Sequence, residues 1–177
     1  MTTKQKLLCC AGFGVILCGL ALASCGDRLQ PTAPAAFHVI NATDMRILLA
    51  KAGLKCEQPE MVGDANYRMV DEVWFNAHFP GIYRQFLGGL RQAGFQSIPK
   101  DCDDHARAAS MCAQMALPSM AVGEYWFHTR EGTLHAVNVV VSTVDSKPKV
   151  SFWEPQTQRQ VELTEDEIKN GCVAWRM

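Results

Sequence analysis

The sequence has little net charge, no internal repeat and no low-complexity tract. Its 177 residues carry 17 basic and 18 acidic side chains, a formal balance of −1. With no excess of lysine and arginine there is no electrostatic footprint for a nucleic-acid groove. Long apolar runs are also scarce: Leu7–Ala23 stands out, and it sits at the short limit for spanning a bilayer. Length excludes a second comfortable domain, because about 140 residues remain beyond the N-terminal segments.

Among the residues that are present, the N-terminus decides the compartment. Lys4 and Lys6 precede the apolar run, which ends in Leu22-Ala23-Ser24-Cys25, the pattern of a bacterial lipoprotein signal. Residues 1–24 are expected to be the signal peptide, and Cys25 the lipid-modified first residue of the mature chain. Asp27–Ala36 has two prolines and little to bury, so residues 25–36 form a lipidated tether and residues 37–177 one domain. Aspartate falls one place after the position that retains lipoproteins in the inner membrane. The expected location is therefore the cell envelope, periplasm-facing, with the outer membrane favoured. Loss of residues 1–24 removes two lysines and no acid, so 15 basic residues face 18 acidic ones, a balance of −3.

Four cysteines, Cys56, Cys102, Cys112 and Cys172, lie in the folded part. An exported domain permits disulfides, and these four allow three complete pairings. A free Cys102 limits them to one bridge, of which Cys56–Cys172 would tie the two ends of the domain together.

Periodicity predicts helices first and an antiparallel sheet after, an α+β arrangement. Asn41 or Thr43 caps a first helix stopped by Gly53. Residues 65–79 show no clear period and read as extended or irregular, and a second helix is expected from Pro80 to Gly94. A third begins at the "DCDD" of residues 101–104, with Asp101 as cap and small residues down one side. Strands follow at 122–129, 133–144 and 149–155, then a short capped helix over "TEDEIKNG". Alternation places His135 with Val137, Val139 and Val141, and Glu154 with Phe152. Trp74, Trp126 and Trp153 are expected in the core or a cleft wall.

A thiol at a helix N-terminus sits where unpaired N–H groups and the helix dipole favour the thiolate. A strand histidine can take its proton, and an acid on the next strand can fix the imidazole tautomer. Cys102, His135 and Glu154 supply these roles in order, the topology of the papain-like solution, in which the nucleophile helix packs on the sheet. Gln96 lies a few residues before the thiol, at the spacing of an oxyanion-hole glutamine.

The segments "DCDDHA", "HAVNVVV" and "FWEPQT" resemble the motif series of the papain-like C-terminal domain of the Marasmius oreades agglutinin family. The resemblance spans residues 101–157, with looser similarity back to residue 65. It implies a calcium-dependent cysteine protease, with nucleophile, base and orienting acid falling on Cys102, His135 and Glu154. The β-trefoil of that family is absent here, so no lectin activity carries over, and His105 stands where the family tends to have an aromatic residue. Asp103 and Asp104 put negative charge beside the thiol, against the dipole, and calcium on these hard oxygen donors would neutralise it.

The expectation is a lipid-anchored, cell-envelope cysteine peptidase acting on peptide or protein amides, with peptidoglycan a further partner, the membrane reached through Cys25, and no nucleic acid. Three alternatives stay open. An NlpC/P60-like peptidoglycan peptidase also has Asp-Cys at a helix start, although Ser-Gly is lacking after Cys102. A zinc set of Cys102, His105, His128 and His135 lacks paired-ligand spacing. A non-catalytic envelope lipoprotein keeps the fold without turnover.

Overall fold

A computed structural model of the chain describes residues 37–55, 63–94, 99–169 and 171–177. The expected signal peptide, the tether, Cys25, Cys56 and Gln96 lie outside the described residues. The fold is α+β.

A small two-stranded sheet comes first. β1 (Phe37–Asn41) and β2 (Asn66–Val70) pair antiparallel, and between them runs α1 (Ala42–Lys51). Asn41 caps α1 by accepting from the Asp44 N–H at 2.9 Å, one of the two caps expected from sequence.

The segment from residue 65 is extended through β2, as expected, but turns helical from Glu72 where an irregular or extended course was read. After β2, Asp71 accepts from the Trp74 N–H at 3.0 Å and opens α2 (Glu72–Gln92), eight residues before the expected start. Pro80 therefore lies inside the helix and removes one ladder hydrogen bond, a defect that costs about 3 kcal/mol in an ordinary helix. Burial offsets it: Phe75, Phe79, Ile82, Tyr83, Phe86 and Leu87 fall on one face and are all buried. Each such side chain contributes about 1.5–3 kcal/mol on leaving water. The apolar stripe was hidden in the sequence because the proline suggested a boundary where the helix continues.

α3 (Cys102–Ala116) follows as expected, with Asp101 accepting from the Asp104 N–H at 3.3 Å. Then come β3 (Val122–His128), β4 (Leu134–Val144), β5 (Lys147–Glu154), β6 (Arg159–Val161), the short α4 (Glu165–Lys169) and β7 (Cys172–Arg176). The five strands form one antiparallel sheet in the order β6-β5-β4-β3-β7. Sequence periodicity missed β1, β6 and β7, each of which has five residues or fewer.

The sheet is covered on both faces, and the alternation of β4 shows how. Val140 joins Val122, Trp153 and the inward faces of α2 and α3 in one core. Val137, Val139 and Val141 point the other way, into a core with Met45 and Leu49 of α1, Tyr125, Phe127, Phe152 and Trp175. Asn138, fully buried, ties α3 to the sheet by sharing the two hydrogens of its Nδ2 among the Ala106 carbonyl at 2.8 Å, the Gly123 carbonyl at 2.9 Å and Ser110 Oγ at 3.0 Å. Gly123 permits the close approach of β7: a Cβ there would lie 2.0 Å from the Arg176 carbonyl oxygen. Cys102 and Cys112 take part in no disulfide, whereas Cys172 is disulfide-bonded.

Candidate functional site

His135 and Glu154 meet at one end of the sheet. Glu154 ends β5, and His135 is the second residue of β4. In the β4–β5 register Val139 faces Phe152, so Glu154 falls beside Val137, one diagonal step from His135. The His135 Nε2 and the Glu154 Oε2 are 2.7 Å apart, a short imidazole–carboxylate contact. Glu154 is only 8% exposed, and its other oxygen accepts from the Gln156 backbone N–H at 2.9 Å. Both carboxylate oxygens are thus held, so the acid is fixed and fixes the ring in turn.

Cys102 occupies the first turn of α3 and is partly exposed. No hydrogen bond joins its sulfur to His135 among the described residues. The register explains the spacing: His135 pairs opposite Phe127, and the two rings meet edge to face with centroids 5.7 Å apart. Phe127 belongs to the core on the α1 side, whereas α3 packs on the opposite face. Alternation placed His135 correctly with Val137 and Val139. Glu154 bridges the two sides, since its negative charge acts on both Tyr83 of α2 and His105 of α3.

His105, one turn after Cys102, has a partner that the sequence did not reveal. Its Nδ1 lies 2.8 Å from the Tyr83 hydroxyl, which also reaches the His105 carbonyl at 3.2 Å. Burial holds the His105 imidazole below its ordinary range, while Glu154, Asp104 and Asp101 pull the other way. Burial also pushes the Tyr83 phenol well up, and neighbouring negative charge adds to this. His105 is therefore tied into the helix pair rather than directed at a ligand, and His128 ends β3 exposed, so the zinc set does not assemble.

The acids beside the thiol form a real cluster. Ligand atoms of Asp101, Asp103 and Asp104 all lie within 4.8 Å of one another. Asp103 hydrogen-bonds Asp101, which raises its carboxyl, with burial and the charges of Asp101 and Asp104 adding to the rise against Arg107. The same contact with Asp103 lowers Asp101, helped by the Asp104 backbone N–H. Three hard oxygen donors crowded by mutual repulsion fit a cation of the calcium type. The sequence named Asp103 and Asp104; Asp101, read there as a cap, is the third member of the cluster.

The class of fold and the geometry of its residues can now be set beside known proteins. No family model matches the chain, and no curated protein matches it. Solved structures do share the fold, two among them being these. PSL1a in its E64 complex is 19% identical with a TM-score of 0.53, covering 78% of this chain and 50% of the other. Polyporus squamosus lectin bound to the human-type influenza-binding epitope Neu5Aca2-6Galb1-4GlcNAc is 17% identical with a TM-score of 0.53, covering 78% and 49%. The chain thus spans about half the length of the solved chains it matches. At these identities the likeness shows the fold.

This corrects the functional expectation. One of the two is a lectin solved with a glycan epitope, and neither is described as a peptidase. The cysteine peptidase, protease and hydrolase reading is withdrawn, together with its NlpC/P60-like and peptidoglycan-cleaving variants. Its weakness was physical: three residue types in a suitable order define a chemistry only when the site and its ligand are also known.

Proposed function

We propose that the chain is a carbohydrate-binding protein. The observation that carries this reading is the likeness of its fold, over 78% of its length, to chains of a fungal lectin, one of them solved with a sialylated trisaccharide. Because the likeness spans half of those chains, the proposal concerns the class of ligand and not their specificity. The test is a printed array of neutral and sialylated oligosaccharides probed with the full chain. Saturable binding to one structural class of glycan is expected, and signal no higher than that of serum albumin across the array would refute it.

A second reading concerns the residues around Cys102, and the 2.7 Å contact between His135 and Glu154 favours it. In this reading the element order is that of a papain-like domain, Cys102 is a reactive thiol, His135 its base, Glu154 the orienting acid and Gln96 a nearby donor, with no substrate assigned. Asp101, Asp103 and Asp104 would hold Ca²⁺, which supplies positive charge beside the thiol. Iodoacetamide should alkylate Cys102 at least tenfold faster in the wild type than in His135→Ala or Glu154→Gln, and faster with calcium than with chelator. Equal rates in all three proteins would remove the thiol site, and equal rates with and without calcium would remove the ion. Envelope anchoring through lipidated Cys25 also stands as a proposal; radiolabelled palmitate incorporated by Cys25→Ser as well as by wild type would exclude it.

A further inference from the structure

We infer that Tyr83 is a positioning residue of the Cys102 site, holding the first turn of α3 against the end of β5 that carries Glu154. This rests on the reading of Cys102, His135 and Glu154 as a reactive thiol with its base and orienting acid, and adds the residue that sets their spacing. Neither periodicity nor the motif series in the sequence singled it out.

Tyr83 touches both halves of the site. It is fully buried on α2. On one side its hydroxyl lies 2.8 Å from His105 Nδ1 and donates to the His105 carbonyl at 3.2 Å. His105 in turn closes the first turn of α3, its backbone N–H donating to the Asp101 carbonyl at 3.1 Å, and Cys102 lies within that turn. On the other side the Tyr83 ring meets Trp153 edge to face with centroids 5.6 Å apart, and Trp153 is the residue before Glu154 on β5. Trp153 is itself held by Phe79 and Phe75, at 5.1 and 6.1 Å between centroids. One rigid side chain therefore spans from the turn holding the thiol to the strand end holding the acid.

The protons fit a fixed clasp. The phenol has one to give, and the carbonyl takes it when the imidazole carries its own proton on Nδ1 and donates it to the phenol oxygen. That arrangement satisfies both contacts with a neutral ring. Burial above all, then the charges of Cys112 and Glu154, push the phenol well up, so it keeps its proton as a donor. A second tie comes from β4, where Asn138 donates to the carbonyl of Ala106, the next residue of α3. β4 also carries His135. The helix start is thus registered to the strand of the base through Asn138 and to the strand of the acid through Tyr83. Such registration matters because a reacting group misplaced by about 1 Å can lose on the order of a hundredfold in rate.

The test is the rate at which iodoacetamide alkylates Cys102 in the full chain, followed by mass spectrometry of the peptide that carries it. Tyr83→Phe keeps the ring and its contact with Trp153 and removes the hydroxyl alone, whereas His105→Ala removes its partner. Each should slow alkylation about tenfold, and Tyr83→Phe should bring no further slowing in a His135→Ala background. Loosening of the core would not imitate this, because it exposes thiols and speeds their reaction. If the wild type outpaces His135→Ala while Tyr83→Phe reacts as fast as the wild type, Tyr83 does not position the thiol, and the thiol site stands without it. Equal slowing by Tyr83→Phe in both backgrounds also overturns the assignment, since the hydroxyl would then act independently of the base. If the wild type reacts no faster than His135→Ala, the thiol reading fails and this inference with it.

Discussion

His105 follows Cys102 by one helical turn and is hemmed in by Tyr83, Glu154, Asp101 and Asp104. Burial is the largest influence on its imidazole and holds it below its ordinary value of 6.5, so the folded state prefers the neutral ring. The sign follows by linkage. Stability owed to neutral His105 is complete above about pH 6.5 and is lost as the pH falls through the lower folded-state value. The melting temperature of the wild type should therefore drop further between pH 7.5 and 5.5 than that of His105→Gln. Thermal melts at both pH values check this, and parallel drops would show that His105 does not contribute.

At the scale of elements, α2 shows how local chemistry and burial divide the work. Its first turn depends on Asp71, whose carboxylate satisfies the Trp74 N–H. Asp71→Ala should cost about 1 kcal/mol, measured by urea denaturation with an unchanged slope. Phe79 is fully buried and stacks on Phe75 with centroids 4.6 Å apart, so Phe79→Ala should cost about 3–5 kcal/mol in the same measurement. What was legible in the sequence follows the same division. The cap at Asp101, the long strands at 122–144 and the pairing of His135 with the valines of β4 were readable, because capping and period-two alternation are local signals. The 2.7 Å contact of Glu154 with His135 joins two residues that the sequence had singled out. The start of α2 was not readable, because Pro80 masked a stripe whose value appears only when α3 and Trp153 cover it. Nor was the face on which α3 packs, since alternation says which residues share a side and is silent on what lies over it.

At the scale of the molecule, Cys172 anchors the last strand by a disulfide, in addition to the pairing of β7 with β3. A native bridge in a domain of this size typically contributes 2–5 kcal/mol, roughly. Dithiothreitol should accordingly lower the melting temperature of the wild type and leave that of Cys172→Ser unchanged; calorimetry makes the comparison. The two-sided cover of the sheet has one more consequence. β4 is paired along both edges, and every residue from Ala136 to Thr143 is buried. In heavy water its amide hydrogens can leave only when helices on both faces have let go, so this strand marks the slowest-exchanging part of the molecule, where local breathing gives way to global opening.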